Sequence, residues 1–217
     1  MNNNTIIILD FGSQYTQLIA RRIREIGVFS VVLPCDVDIE KIHSINPSGI
    51  ILSGGPETVT KSNTPKINKD LFDSNIPLLG ICYGMQTMAQ ELGGVVISSD
   101  KREFGHANIK MVEASILFDG VDLTEGSLDV WMSHGDKVDK LPNNFTPIAQ
   151  SDNCSIAGFQ NEEKLWFGLQ FHPEVTHTNE GSKILSNFVY SICKLSLIHI
   201  SEPTRPRLIS YAVFCLK

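Results

Sequence analysis

The sequence predicts an α/β fold on a doubly wound, mostly parallel sheet, and three observations carry that expectation. Short apolar runs rich in β-branched residues recur through the first half, beginning at residues 5–9. Segments with helical spacing separate them, and the runs are continuously apolar, as strands are when helices cover both faces of a sheet. Beyond Gly93-Gly94 the texture changes to strand-like pieces joined by Gly, Asn and Asp, which adds a smaller antiparallel region.

The elements follow in order. Residues 5–9 form the first strand. After Ser13 come Tyr15, Leu18, Ile19, Ile23 and Ile26 near helical spacing, with Gly27 as C-terminal cap. Residues 28–33 read as a strand, 39–45 as a short helix, 49–52 as a strand, 65–72 as a helix and 76–81 as a strand. Met85, Met88, Ala89 and Leu92 fall on one helical face that Gly93 closes. The later strands are expected at 95–98, 107–112, 128–132, 155–160 and 165–171. Ile184, Leu185, Phe188, Val189 and Ile192 then share the face of a last helix.

A chain of 217 residues, 42% of them hydrophobic, suits one domain, placed at 1–194. Residues 195–217, broken by Pro203 and Pro206, fit neither half and are expected to be an atypical tail, non-native or disordered. A formal net charge of −6 offers no basic stripe for nucleic acid and no polybasic patch for a membrane. The run Ile6-Ile7-Ile8-Leu9 is too short for a signal core or a membrane span, so a cytoplasmic protein is expected. Five cysteines without a CxxC pair read as free thiols.

One of those thiols stands apart. Gly80-Ile81-Cys82-Tyr83-Gly84 has G-x-C-x-G spacing, the thiol counterpart of the nucleophile elbow that turns a buried strand into a helix. At a helix N-terminus, unpaired N–H groups and the dipole both favour thiolate. The competing reading is a small buried cysteine beside strand-ending glycines, so a base has to be found. His172 is the best candidate. It follows a strand in Gln170-Phe171-His172-Pro173-Glu174, and Pro173 keeps it out of helix. In extended chain Glu174 then points to the same side, as nucleophile, base and orienter require. A metal site from His172 and His177 fails on spacing. His43 and His106 read as an exposed helical residue and a loop residue. Ser53-Gly54-Gly55-Pro56-Glu57 offers backbone N–H groups to an oxyanion, with the N–H of Tyr83 as second donor, and lacks the lysine of a phosphate loop.

Taken together, SGGPE, GICYGMQ and QFHPE resemble the class I glutamine amidotransferases, whose glutaminase domains release ammonia from glutamine with a Cys, His and Glu triad. DFGSQYTQLIARRIRE, ICYGMQTMAQELGG, REFGHA and WMSHGDKV are similar to the GMP synthase branch of that family, and the resemblance covers residues 5–194. It implies a flavodoxin-like fold, with Cys82 as nucleophile, His172 as base and then acid, and Glu174 orienting His172. It further implies an oxyanion hole from Gly55 and Tyr83, and glutamine held by Gln86 and by Ser133, His134, Gly135 and Asp136. No metal or other cofactor is expected for that half-reaction. The implied partner is an ATP pyrophosphatase domain or subunit using ATP and Mg2+; its SGGVDS-type loop is not in this sequence, so that part is expected to be absent from the chain. The alternatives are the glutaminase of another amidotransferase, a stand-alone γ-glutamyl hydrolase, and a silent regulatory module, the last disfavoured by the intact triad. Cys35, Cys154 and Cys193 match no motif and read as incidental thiols.

Overall fold

The computed structural model describes residues 4–61 and 64–195, without the side chains of 100–102. Its elements run β1 (Thr5–Asp10), α1 (Thr16–Glu25), β2 (Phe29–Pro34), α2 (Ile39–Ile45), β3 (Gly49–Leu52), β4 (Leu78–Ile81), α3 (Tyr83–Glu91), β5 (Val95–Met111), β6 (Ser127–Lys140), β7 (Thr146–Ser151), β8 (Gly158–Asn161), β9 (Trp166–Leu169) and α4 (Gly181–Ser186). The strands form one sheet in the order β2-β1-β3-β4-β9-β8-β7-β5-β6. The ladders from β2 to β9 are parallel and those from β9 to β6 antiparallel, so the second half of the chain extends the sheet begun by the first.

Alternation along the continuous apolar strands builds two cores. Ile6, Ile8, Ile51 and Leu79 pack on one face with Ile19, Ala20 and Ile23 of α1 and Ile184 and Leu185 of α4. Ile7, Leu9, Ile50 and Leu52 pack on the other with Ile42 of α2 and Met85, Met88 and Ala89 of α3. That is double winding. Each fully buried Ile or Leu contributes about 1.5–3 kcal/mol, and both faces of β1 are filled. α1 ends as expected, with Gly27 at φ 90° and Val28 N–H donating to the Ile23 carbonyl, a Schellman closure.

Several expectations need correction. Residues 65–72 are not a helix: a short 3-10 turn, Lys69–Asp73, starts where the Asn68 side chain accepts from Asp70 N–H. Only Ile67 and Leu71 of this stretch bury apolar side chains, too few for a helical stripe. The pieces expected at 95–98 and 107–112 are one strand, β5, because its pairing with β6 resumes after a register jump from Ser98↔Asp136 to Glu103↔His134. His106 is therefore on a strand. β7 has no counterpart in the sequence pattern; its Pro147 sits at a register shift, where a missing N–H is tolerated. The last helix is α up to Ser186 and continues as a π-helix, Asn187–Ile192, while keeping its apolar face buried. Leu195 is buried in the core, its N–H bonded to the Val189 carbonyl. The rest of the expected tail lies outside the described residues.

Candidate active site

β4 and β9 lie side by side and parallel, with Ile81 level with Leu169. The residues that leave their C-terminal ends, Cys82 and the stretch Gln170 to Glu174, therefore emerge together in the crevice where open α/β sheets hold ligands. Cys82 N–H donates to the Leu169 carbonyl at 2.7 Å, one last rung of the ladder. The chain then reverses into α3, and Cys82 takes φ 51° and ψ −107°, a strained backbone for a residue with a side chain. Glycines make that turn fit. A Cβ on Gly80 would lie 2.7 Å from Met85 N, and one on Gly84 would lie 2.3 Å from the Leu52 carbonyl oxygen, so α3 reaches the sheet only without those atoms. This is the elbow expected from the spacing.

His172 Nδ1 lies 2.7 Å from Glu174 Oε1, with both side chains almost wholly buried. Burial opposes charge on the imidazole; the carboxylate of Glu174 and hydrogen bonding to Cys82 outweigh it and raise the His172 pKa well above its ordinary value. The backbone of His172 is fixed from several sides. Its N–H donates to the Trp131 carbonyl at 3.0 Å, and Thr178 Oγ1 donates to its carbonyl while accepting from Trp131 N–H. Arg22 Nε donates to the Glu174 carbonyl at 3.0 Å, and the Tyr15 ring stands edge-on to the imidazole at 5.5 Å. A Cβ on Gly54 would lie 3.2 Å from His172 Cε1, so the glycine loop approaches the ring closely. His177 instead packs on Trp131, with ring centroids 4.5 Å apart.

Cys82 opens into a cavity of about 540 Å³ that Gly55, Tyr83 and Gln86 also line. The opposite wall is Ser133, His134, Gly135 and Asp136, from β6. The cavity thus gathers Cys82, Gly55, Tyr83, Gln86 and the stretch from Ser133 to Asp136, and His172, paired with Glu174, interacts with Cys82. Tyr83 is the first residue of α3, where an N–H has no acceptor within the helix.

The sequence reading gave no part to several residues that hold this wall. Gln170, fully buried, contacts both Gln86 and the Cys82 sulfur. Glu103 accepts from Ser151 Oγ and Asn153 Nδ2 and lies 3.0 Å from His134 Nε2. The Asp136 carbonyl accepts only, so His134 Nδ1, 2.9 Å away, carries hydrogen. Burial lowers the His134 pKa against the raising effect of Glu103. Thr58 Oγ1 donates to Asp136 Oδ2. Glu103 belongs to REFGHA and Gln170 to QFHPE; a polar residue bound for a buried strand end was the available signal.

Among the described residues, no helix is long and apolar enough to cross a membrane. The family Glutamine amidotransferase class-I matches residues 7–192. GMP synthase [glutamine-hydrolyzing] of Ruthia magnifica subsp. Calyptogena magnifica is 59% identical over 198 residues, 89% of this chain and 38% of that protein. The protein of that name in Pseudomonas putida (strain W619) is 57% identical over 193 residues, 87% of this chain and 37% of its own length. The chain thus spans well under half the length of these relatives. A solved structure from Thermoplasma acidophilum, of a protein assigned to the GMP synthase subunits, superimposes with a TM-score of 0.75 at 31% identity, covering 88% of this chain and 94% of that one. With the elbow cysteine, the paired histidine and glutamate, and a family match over almost all of the described fold, this chain belongs to the class-I glutamine amidotransferases.

Proposed function

We propose that the chain is the glutaminase part of a GMP synthase, working in the cytoplasm. It hydrolyses glutamine to glutamate and ammonia, and an ATP pyrophosphatase domain or subunit uses the ammonia to aminate XMP to GMP. The observation that carries the glutaminase reading is the meeting of Cys82 with the His172–Glu174 pair at the ends of β4 and β9. The shared name of the relatives supports the nucleotide product.

The geometry supports the following steps. Glu174 holds His172 with Nδ1–H toward itself, so Nε2 serves the sulfur. A raised imidazole pKa favours the imidazolium beside a thiolate. The thiolate attacks the side-chain carbonyl carbon of glutamine, and the N–H groups of Gly55 and Tyr83 receive the developing oxyanion. His172 gives its proton to the nitrogen, the C–N bond breaks, ammonia leaves and a γ-glutamyl thioester remains. Water, deprotonated by His172, then attacks the thioester carbon; glutamate departs and the sulfur is restored. Gln86 and the wall from Ser133 to Asp136 hold the glutamine. No cofactor enters this half-reaction, and ATP with Mg2+ serves the synthetase part alone.

Replacing Cys82 with Ala is expected to cut glutamate release by about 10³-fold or more with the circular dichroism spectrum retained. Hydrolysis that survives Cys82→Ala would sink the assignment. The nucleotide half is checked by adding an ATP pyrophosphatase partner, ATP, Mg2+ and XMP, and following GMP made from glutamine. Glutamine consumption without GMP in that mixture would favour a different acceptor.

A further inference from the structure

Behind the nucleophile runs a chain of two buried carboxamides. Gln86 Nε2 lies 2.7 Å from the Asp136 carbonyl and 3.1 Å from Gln170 Oε1. Gln170 Nε2 lies 3.7 Å from Cys82 Sγ. An amide can be turned end for end, but here the first link removes that freedom. A backbone carbonyl only accepts, so the NH2 of Gln86 must face Asp136. Its second hydrogen then requires the oxygen of Gln170 on that side, which leaves the NH2 of Gln170 toward the sulfur. Gln170 has no exposed surface and Gln86 almost none, so water does not compete. Register explains the placement: Cys82 and Gln170 are the residues that follow the paired Ile81 and Leu169.

The structure assigns Gln170 a catalytic part: its carboxamide donates a hydrogen bond to the Cys82 sulfur and stabilises the thiolate that attacks glutamine, with Gln86 and the Asp136 carbonyl fixing which end of the amide is presented. The assignment rests on the glutaminase reading, and deepens it. The donor is needed because the sulfur also lies 3.5 Å from the Ser133 carbonyl, a partner for the thiol S–H that repels the thiolate. Proton loss from sulfur turns that contact unfavourable, and an N–H on another side offsets it. The arrangement also ties the nucleophile to the substrate wall, since the Asp136 carbonyl that orients Gln86 accepts from His134 as well. The titratable groups around the sulfur are His172, backed by Glu174, and Glu57, Lys61, Tyr83, His134 and Asp136 lining the same cavity, with Glu103 behind His134.

The test measures alkylation of Cys82 by iodoacetamide against pH, read on the Cys82 peptide by mass spectrometry so that Cys35 does not contribute. Gln170→Met keeps length and removes the donor; it is expected to shift the alkylation profile upward by about one pH unit and to lower glutamine kcat/KM about tenfold near neutral pH. Gln86→Met, which frees Gln170 to turn, is expected to shift the profile in the same direction by less, and stands in if Gln170→Met does not fold. Profiles of the folded variants that coincide with wild type would overturn the assignment. A wild-type protein that shows the shift on substitution but hydrolyses no glutamine would leave the thiolate contact standing and reject the glutaminase reading, so the two failures are distinguishable.

Discussion

The two sides of the cavity beside Cys82 are built by different means. On the parallel side, Cys82 and His172 hang from the backbone of adjacent strands, and close approach of α3 to β3 and β4 sets the elbow. On the antiparallel side, the wall from Ser133 to Asp136 lies where β5 and β6 shift register, and side-chain contacts brace it: Glu103 with His134, and Thr58 with Asp136. Cys82 is therefore placed by packing that admits no added atom, and the wall from Ser133 to Asp136 by polar contacts that can be lost one at a time. Lesions on the first side should unfold or silence the protein. Lesions on the second should weaken substrate binding.

The largest effect is expected from Gly84→Ala. The new methyl carbon would lie 2.3 Å from the Leu52 carbonyl oxygen and 2.6 Å from Leu52 Cβ, both on a central strand that cannot yield. α3 would have to move off the sheet, uncovering Met85 and Met88. A loss of about 4 kcal/mol or more is expected, a large share of the stability of about 5–15 kcal/mol usual for a domain. Urea unfolding measures it, and a midpoint like that of wild type would break the comparison at its root.

This asymmetry also decided how much was legible beforehand. Apolar runs at 5–9, 49–52 and 76–81 mark central strands because burial on both faces leaves little room for polar residues, and the strand, elbow and helix around Cys82 are local in sequence. His172 and Glu174 were legible because two residues of extended chain return a side chain to the same side. The antiparallel side was harder. β5 carries Ser, Asp, Lys, Arg, Glu and His in its middle, so its continuity depends on pairing with β6 and not on its own pattern. β7 begins Thr-Pro, which reads as loop. The partnership of Glu103 with His134 spans 31 positions, and that of Gln170 with Cys82 spans 88; no periodicity announces either.

Between the two sides, Glu174→Gln tests the charge behind the imidazole. Glu174 Oε2 is buried without a hydrogen-bond partner among the described residues, so the carboxylate acts on His172 through Oε1 alone. Glutamine can still accept from Nδ1 but brings no charge, and kcat/KM is expected to fall by about 10²- to 10⁴-fold with little change in fold. The sign of the pH effect on stability is fixed by the raised His172 pKa. Its stabilising contribution is complete below the unfolded value of 6.5 and is lost as pH rises through the higher folded value. Wild type should therefore lose stability across that window, and Glu174→Gln should lose less. Equal slopes in chemical denaturation from pH 6 to pH 9 would count against the ion pair.

The smallest effect is expected from Glu103→Gln, which should sharpen the comparison. Glu103 takes hydrogen bonds from Ser151 and Asn153 and faces His134 Nε2, whose ring holds the Asp136 carbonyl through Nδ1. A carboxylate has two oxygens for these contacts; an amide has one, so one contact must be given up or reversed. Donation from the new NH2 to a neutral His134 Nε2 would keep the ring in place, and burial already favours that neutral form. Nothing in this exchange touches the backbone that carries Cys82. The result should be a rise in the glutamine KM of about two- to fivefold, a kcat near that of wild type and a stability loss of about 1 kcal/mol. A fall in kcat as large as that from Glu174→Gln would mean that the polar wall, and not only the packed elbow, sets the position of the sulfur.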